Sequence, residues 1–190
     1  MNNRTETVTH IVVDMLYDFI DGSLACTGGE EAVEKVIEHI NNHPEERVVY
    51  VCDSHPANHC SFVAEGGIWP PHCVSGTHGG DIHRKIKNDI VKAESRPTEE
   101  NSFLKGYLQE LEQYSGYEAV NKNGTALSSV LSPKVVISGI ATEFCVLETV
   151  SDLIRNGFDV TVNTQALAYV TKEGHETALE KFREAGIKLI

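Results

Sequence analysis

The chain has 190 residues, 41% hydrophobic and 23% charged, and carries a net charge of −12 at neutral pH. That length is enough for one domain with a substantial core. The negative field repels phosphate backbones and anionic lipid, and no lysine or arginine cluster overrides it, so nucleic-acid and membrane-surface partners are excluded.

The opening "MNNRTETVTH" lacks the apolar centre of a signal peptide, and no apolar run is long enough to span a bilayer. A cytoplasmic location is the expectation. "VTHIVVDM" then reads as a strand buried on both faces. After a glycine-containing segment, Val33, Val36, Ile37 and Ile40 recur at helical spacing in "EEAVEKVIEHINNH". Pro44 closes that helix, and "RVVYVCD" is the second strand of a right-handed βαβ unit. Residues 53 to about 103, rich in His, Pro and Gly, form a long irregular segment of the kind that usually carries function. "GYEAVNK", "VVISGI", "GFDVTVNT" and "GIKLI" follow as four more strands. Between them "TALSSVLS", "TEFCVLETVSDLIRNG" and "GHETALEKFREAG" read as helices, with Gly157 and Gly186 as C-terminal stops. The expectation is a single α/β domain over residues 1–190, its mainly parallel six-stranded sheet wrapped by helices on both faces.

Ligands in such sheets bind beyond the carboxyl ends of the strands, so the residues that follow each strand carry the argument. The first strand ends at Asp14, where burial favours a raised carboxyl pKa suited to proton transfer; a turn or helix-capping role is the plainer alternative. After the second strand comes "CDSHPANHCSF", with Asp53, His55 and His59, and further on Glu65 and His72. Nitrogen and oxygen donors without thiolate suit zinc, iron or manganese with open positions left for water or substrate. Asp-x-His by itself arises often by chance, and loop histidines are commonly just solvated. The five cysteines, Cys26, Cys52, Cys60, Cys73 and Cys145, show no Cys-x-x-Cys spacing and their number is odd, which suggests neither a disulfide framework nor a zinc ribbon. Most are read as small buried hydrophobes, Cys60 and Cys73 included. Cys145 differs: it lies one or two residues into a helix expected to start near Thr142, where the dipole and free N–H groups stabilise a thiolate and an oxyanion. Packing beside Val146 is the equal alternative. Lys105 in "FLKGY" is flanked by apolar and aromatic residues, though alone it is unremarkable, since most lysines are solvated surface.

Taken together these segments resemble the nicotinamidase branch of the isochorismatase-like cysteine hydrolases over nearly the whole chain. "VVDMLYDFIDGSLACTGGE" looks like the family's opening strand and loop, "CDSHPANHCSF" and "WPPHCVSGT" like its two metal segments, "FLKGY" like its lysine segment and "SGIATEFCV" like its nucleophile turn. The resemblance implies an isochorismatase-like fold with Rossmann-like strand order, and a catalytic triad of Asp14, Lys105 and Cys145. It implies that a thioester forms on Cys145 from nicotinamide, yielding nicotinate and ammonia for NAD salvage, with the oxyanion held at the Ala141 and Cys145 N–H groups. A cis peptide between Ile140 and Ala141 follows from the same source. So does one divalent metal ion, zinc first and iron or manganese otherwise, held by Asp53, His55 and His72. The fourth ligand is Glu65 or His59, and the short loop between Phe62 and Trp69 favours Glu65. Phe19 and Trp69 are expected to sandwich the ring, with Tyr114 as a further wall. Self-association is common among such relatives, so a homo-oligomer is a further possibility the resemblance raises. The opening motif departs from the family at Leu16 and Tyr17, where two amides are usual, and this bears on pocket shape and on acceptance of pyrazinamide. A related hydrolase of another small amide, carbamoyl or ureido group is the alternative activity. A catalytically silent metal-binding domain is the alternative of a different class, against which all three triad residues are present.

Overall fold

The computed structural model describes residues 7–190; residues 1–6, part of the polar opening segment, lie outside it. Six strands form one sheet in the order β3-β2-β1-β4-β5-β6, every neighbouring pair parallel. They are β1 (Thr9–Val13), β2 (Arg47–Asp53), β3 (Ser102–Lys105), β4 (Lys134–Gly139), β5 (Asp159–Leu167) and β6 (Lys188–Leu189). All five residues of β1 are buried, as a central strand covered on both faces requires.

The main helices are α2 (Gly29–Asn42), α4 (Leu147–Arg155) and α5 (Lys172–Glu184), with short α1 (Tyr17–Ile20) and α3 (Arg84–Asn88). Among the described residues, no helix is long and apolar enough to cross a membrane. Ala32, Val33, Val36 and Ile40 line one stripe of α2 and join a core with Val12, Val48 and Tyr50 on one face of the sheet. Ile11, Val13, Val49 and Val51 alternate to the opposite face, where they meet Val146, Val150 and Leu153 at the start and along α4. Gly157 and Gly186 take positive φ just past α4 and α5, as stop signals should.

Two sequence expectations need correcting. "GYEAVNK" is not a strand: only Val120 pairs, bridging Leu104 on one side and Ala126 on the other. The third strand is instead Ser102–Lys105, whose lysine-bearing four residues are too short to show alternation. "TALSSVLS" likewise yields only a 3-10 turn at Leu127–Ser129.

Strand order reverses between β1 and β4, the neighbours at the centre of the sheet. Gly139 closes β4 there with φ 132°, and a Cβ on it would lie 2.0 Å from the Val13 carbonyl oxygen. Glycine lets the two strand ends approach as the chain turns into the site.

Candidate active site

Four strand ends meet at this point. Asp14 follows β1 at φ 51°, a left-handed position that Asp tolerates better than most residues. Its Oδ1 accepts the Asp53 N–H at 2.8 Å. Lys105, the last residue of β3, pairs in register with Asp53 and is fully buried. Its Nζ lies 2.5 Å from Asp53 Oδ1, 3.0 Å from Asp14 Oδ2 and 3.3 Å from Cys145 Sγ. Asp14 Oδ2 makes no well-aligned hydrogen bond to the ammonium and stays available on the thiol side.

Cys145 sits in a π turn, Thr142–Val146, ahead of α4. It is thus the fourth residue of that element, further in than the sequence suggests. The Thr142 hydroxyl does not cap the helix; it donates to the Ala168 carbonyl. The Ala141 carbonyl accepts from Phe144 and Val146, both at 3.1 Å, and passes over the Cys145 N–H between them. The Ala141 N–H has no acceptor among the described residues. The Ile140–Ala141 peptide is cis. Two N–H groups beside the thiol are therefore available to an oxyanion.

The charges decide the resting state. Burial pushes the Asp14 carboxyl up to about 6, with Lys105 pulling it down and Asp53 pushing it further up. Burial also works against the charge of Lys105, but the two carboxylates outweigh it and the ammonium persists. Burial raises the Cys145 thiol well above its ordinary value; Lys105 opposes this, while Asp14 and Asp53 add to it. The thiol is thus neutral at rest, and a neighbouring base must take its proton. The helix start does not by itself make a thiolate here.

Asp53 also faces a second cluster. Its Oδ2 is 3.5 Å from His55 Nε2, and Asp53, His55 and His72 each offer a ligand atom within 4.8 Å of the others. The Nδ1 nitrogens of His55 and His72 donate to the carbonyls of Gly106 and Pro70, both at 2.8 Å. A carbonyl only accepts, so each Nδ1 carries a proton, and in the neutral ring Nε2 keeps a lone pair. Burial opposes charge on His55, but Asp53 and the Gly106 carbonyl outweigh it and raise its pKa, so a metal there takes the place of a proton on Nε2. Burial holds His72 below its usual pKa, in the neutral form that ligates. Gly106 has φ 66°, and a Cβ there would fall 2.5 Å from His55 Cε1. The Cys73 backbone ties this region together: its carbonyl receives the His55 N–H, and its own N–H goes to Asp18 Oδ2.

Neither fourth-ligand candidate joins the trio. Glu65 is exposed at the tip of a 3-10 turn, Val63–Glu65. The Phe62–Trp69 loop folds back on itself through the Phe62–Trp69 bridge and the Val63 N–H bond to Trp69 O, which carries Glu65 outward. His59 is buried and stacks on His55 at 4.1 Å. Its Nε2 proton is taken by the Leu111 carbonyl, and its Nδ1 accepts from the Ser61 N–H.

Phe19, Trp69, Tyr114, Ala141 and Cys145 all line one cavity with Asp53 and His72. It encloses only about 20 Å³, room for about one water. Trp69 Nε1 donates to Tyr114 Oη at 3.0 Å, and both rings pack on Phe144. Sequence reasoning missed Phe144 and Glu112 as lining residues. Phe144 lay inside the quoted nucleophile segment, whereas nothing in "QELEQYSGY" distinguishes Glu112 from a solvated charge. Leu16 and Tyr17 do not line the cavity. Leu16 is buried in the core, and Tyr17 packs at a tilt on His78 and edge-on against His83.

The isochorismatase domain family matches residues 8–190. The chain belongs to the isochorismatase family. Within it, the nicotinamidase/pyrazinamidase of Mycobacterium tuberculosis is 35% identical, the match covering 95% of this chain and 96% of that one. Pyrazinamidase of Pyrococcus horikoshii, in complex with zinc, superposes with a TM-score of 0.82 at 35% identity, covering 96% of this chain and 97% of that one. PnC1 from L. infantum, in complex with nicotinate, gives a TM-score of 0.82 at 32% identity, covering 97% of this chain and 92% of that one. In this isochorismatase-family chain the all-parallel sheet and its central crossover are the scaffold for the site.

Proposed function

We propose that this protein is a metal-dependent cysteine amidohydrolase that converts nicotinamide to nicotinate and ammonia. One observation carries the reading: a buried Asp14–Lys105–Cys145 cluster shares Asp53 with a His55–His72 pair whose free Nε2 atoms face it. The relatives named nicotinamidase or described with nicotinate support the substrate.

In this reading Asp14 takes the Cys145 proton through its free Oδ2, and Sγ attacks the carboxamide carbon. Lys105 holds its positive charge beside the forming thiolate. The N–H groups of Ala141 and Cys145 receive the oxyanion. As the C–N bond breaks, Asp14 returns its proton to the departing ammonia, leaving a thioester. Asp14 then takes a proton from the incoming water, whose oxygen attacks the thioester carbon, and the thiol recovers its proton as nicotinate leaves. Phe19 and Trp69 flank the ring.

Asp53, His55 and His72 would hold the metal, and an N₂O donor set with preset Nε2 lone pairs fits zinc well. When bound, the ion supplies Lewis acidity, as an anchor for the ring nitrogen and a polariser of water. Three protein ligands would leave the ion open to substrate or water. That His59 is engaged elsewhere and Glu65 exposed supports three ligands rather than four.

The test is ammonia release from nicotinamide before and after chelation. Release that chelation abolishes and zinc restores is expected; no release from the zinc-loaded protein would turn attention to other small amides. Gly106→Ala offers a separate check. Its Cβ would displace the His55 ring, so bound metal is expected to fall on the order of 10–100-fold in affinity, as for a lost supporting contact. Unchanged zinc affinity would show that His55 is not positioned through Gly106.

A further inference from the structure

A second cluster of metal-ligating side chains lies at the other end of β1. His10 on β1 is four residues from Asp14, about 13 Å along the strand. His39 comes from the last turns of α2 and Glu46 from the connection into β2. All three are buried: His10 is 0% exposed, His39 and Glu46 8% each. Their ligand atoms fall within 4.8 Å of one another, the same closeness that relates Asp53, His55 and His72. A third such group, Asp14, Asp53 and Cys145, has the Lys105 ammonium in its midst, which repels a cation. Among the described residues, no lysine or arginine pairs with His10, His39 or Glu46.

Within the cluster the hydrogen bonds leave one buried ring nitrogen unpaired. His10 Nε2 meets the buried Ser138 hydroxyl at 2.8 Å, while His10 Nδ1, fully buried, has no partner among the described residues. A buried imidazole nitrogen left unpaired is uncommon and points to a missing partner. His39 Nε2 and Glu46 Oε2 are 3.0 Å apart, close to the roughly 3.4 Å edge of a tetrahedron with zinc-like bonds. His39 Nδ1 meets the Asn163 amide at 3.3 Å. Ligation through Nε2 leaves the His39 proton on Nδ1. An Asn163 amide turned by 180° accepts it, as outer partners of ligating histidines do. The turn gives up the part-buried bond from the Gln165 N–H that this amide now holds. A crevice of about 200 Å³ reaches His39 and Asn163, which places the His39 edge of the cluster nearest solvent.

We propose that His10, His39 and Glu46 form a second metal site, selective for a divalent ion of the zinc class and separate from the catalytic end of the sheet. Two imidazoles and one carboxylate suit such an ion and disfavour magnesium or calcium, which prefer oxygen. Bound there, it ties β1, α2 and the α2–β2 connection together, and so stabilises the fold without touching the chemistry.

The test counts zinc on the full chain after stripping, reloading and desalting. Wild type is expected to hold two equivalents, Glu46→Gln one, His72→Ala one, and the double variant none. Glu46→Gln keeps the shape and a hydrogen bond to His39, so it should fold, and far-UV circular dichroism checks this; its ammonia release is expected to match wild type. Should it fail to fold, His39→Gln, nearer the crevice, takes its place. A single equivalent in wild type that only His72→Ala removes would overturn the proposal and leave the catalytic metal standing. A second equivalent that survives Glu46→Gln but is lost in His43→Asn would overturn it in favour of a surface histidine.

Discussion

Cys145→Ala is expected to release ammonia from nicotinamide only at background, a loss on the order of 10⁵–10⁶-fold in kcat, the size seen when a hydrolase loses its nucleophile. The fold is expected to survive, because the change removes one sulfur from a buried position and leaves Lys105 paired to two carboxylates. Cys145→Ser is the sharper variant. It keeps an atom at the attacking position but raises the acidity gap that Asp14 must bridge, since a hydroxyl gives up its proton far less readily than a thiol. With Asp14 near pKa 6, the serine form is expected to stay nearly as inactive as alanine. Substantial ammonia release by Cys145→Ala would remove Cys145 as nucleophile. Substantial release by Cys145→Ser alone would show that Asp14 is a stronger base than its surroundings imply.

How much of this was legible in the residues depended on the length of each signal. β1 and β2 are β-rich, largely apolar runs that lead into acids, and α2 repeats its apolar positions over three turns; each is readable because many residues agree. β3 is four residues with a lysine at its end, and only its pairing with β2 makes it a strand. The family's segments marked Asp14, Lys105, Cys145, Asp53, His55 and His72 in one dimension, and the parallel register brings them together. What sequence could not supply was orientation. His59 and His72 are both buried loop histidines, and only the carbonyl each one meets separates an engaged Nε2 from a free one. Glu65 sits at the spacing of a ligand but on a loop closed by pairing between Phe62 and Trp69, a tertiary contact with no local signature. The departure at Leu16 and Tyr17 seemed to bear on the substrate pocket; in the fold it bears on the core and on His78 and His83 instead.

The double position of Asp53 gives the second large expectation. One oxygen faces the Lys105 ammonium and the other faces His55, so the carboxylate joins the proton-transfer cluster to the histidine pair. Burial alone would raise its pKa, but Lys105 and His55 outweigh that and hold it well below the ordinary carboxylate range. It is therefore the fixed negative charge of the site, while in the proposed reaction Asp14 is the one that exchanges its proton. Asp53→Asn keeps the shape and removes that charge. The buried group of Asp14, Asp53 and Lys105 then changes from one net negative charge to none, and Lys105 is left with Asp14 as its only carboxylate. Asp14 loses the neighbour that pushed its pKa up and keeps the lysine that pulls it down, so it becomes a weaker base. The histidine pair loses the carboxylate that completes its donor set, so metal affinity falls as well. Turnover is expected to drop on the order of 10²–10³-fold, the usual effect of deleting a preorganised electrostatic group from a buried site, with bound zinc below one catalytic equivalent. The two effects separate on adding metal. If excess zinc restores occupancy but not rate, Asp53 acts on Asp14 and Lys105 as well as on the ion. Full recovery with zinc would confine Asp53 to holding metal, and a normal rate with normal zinc would remove it from the site altogether.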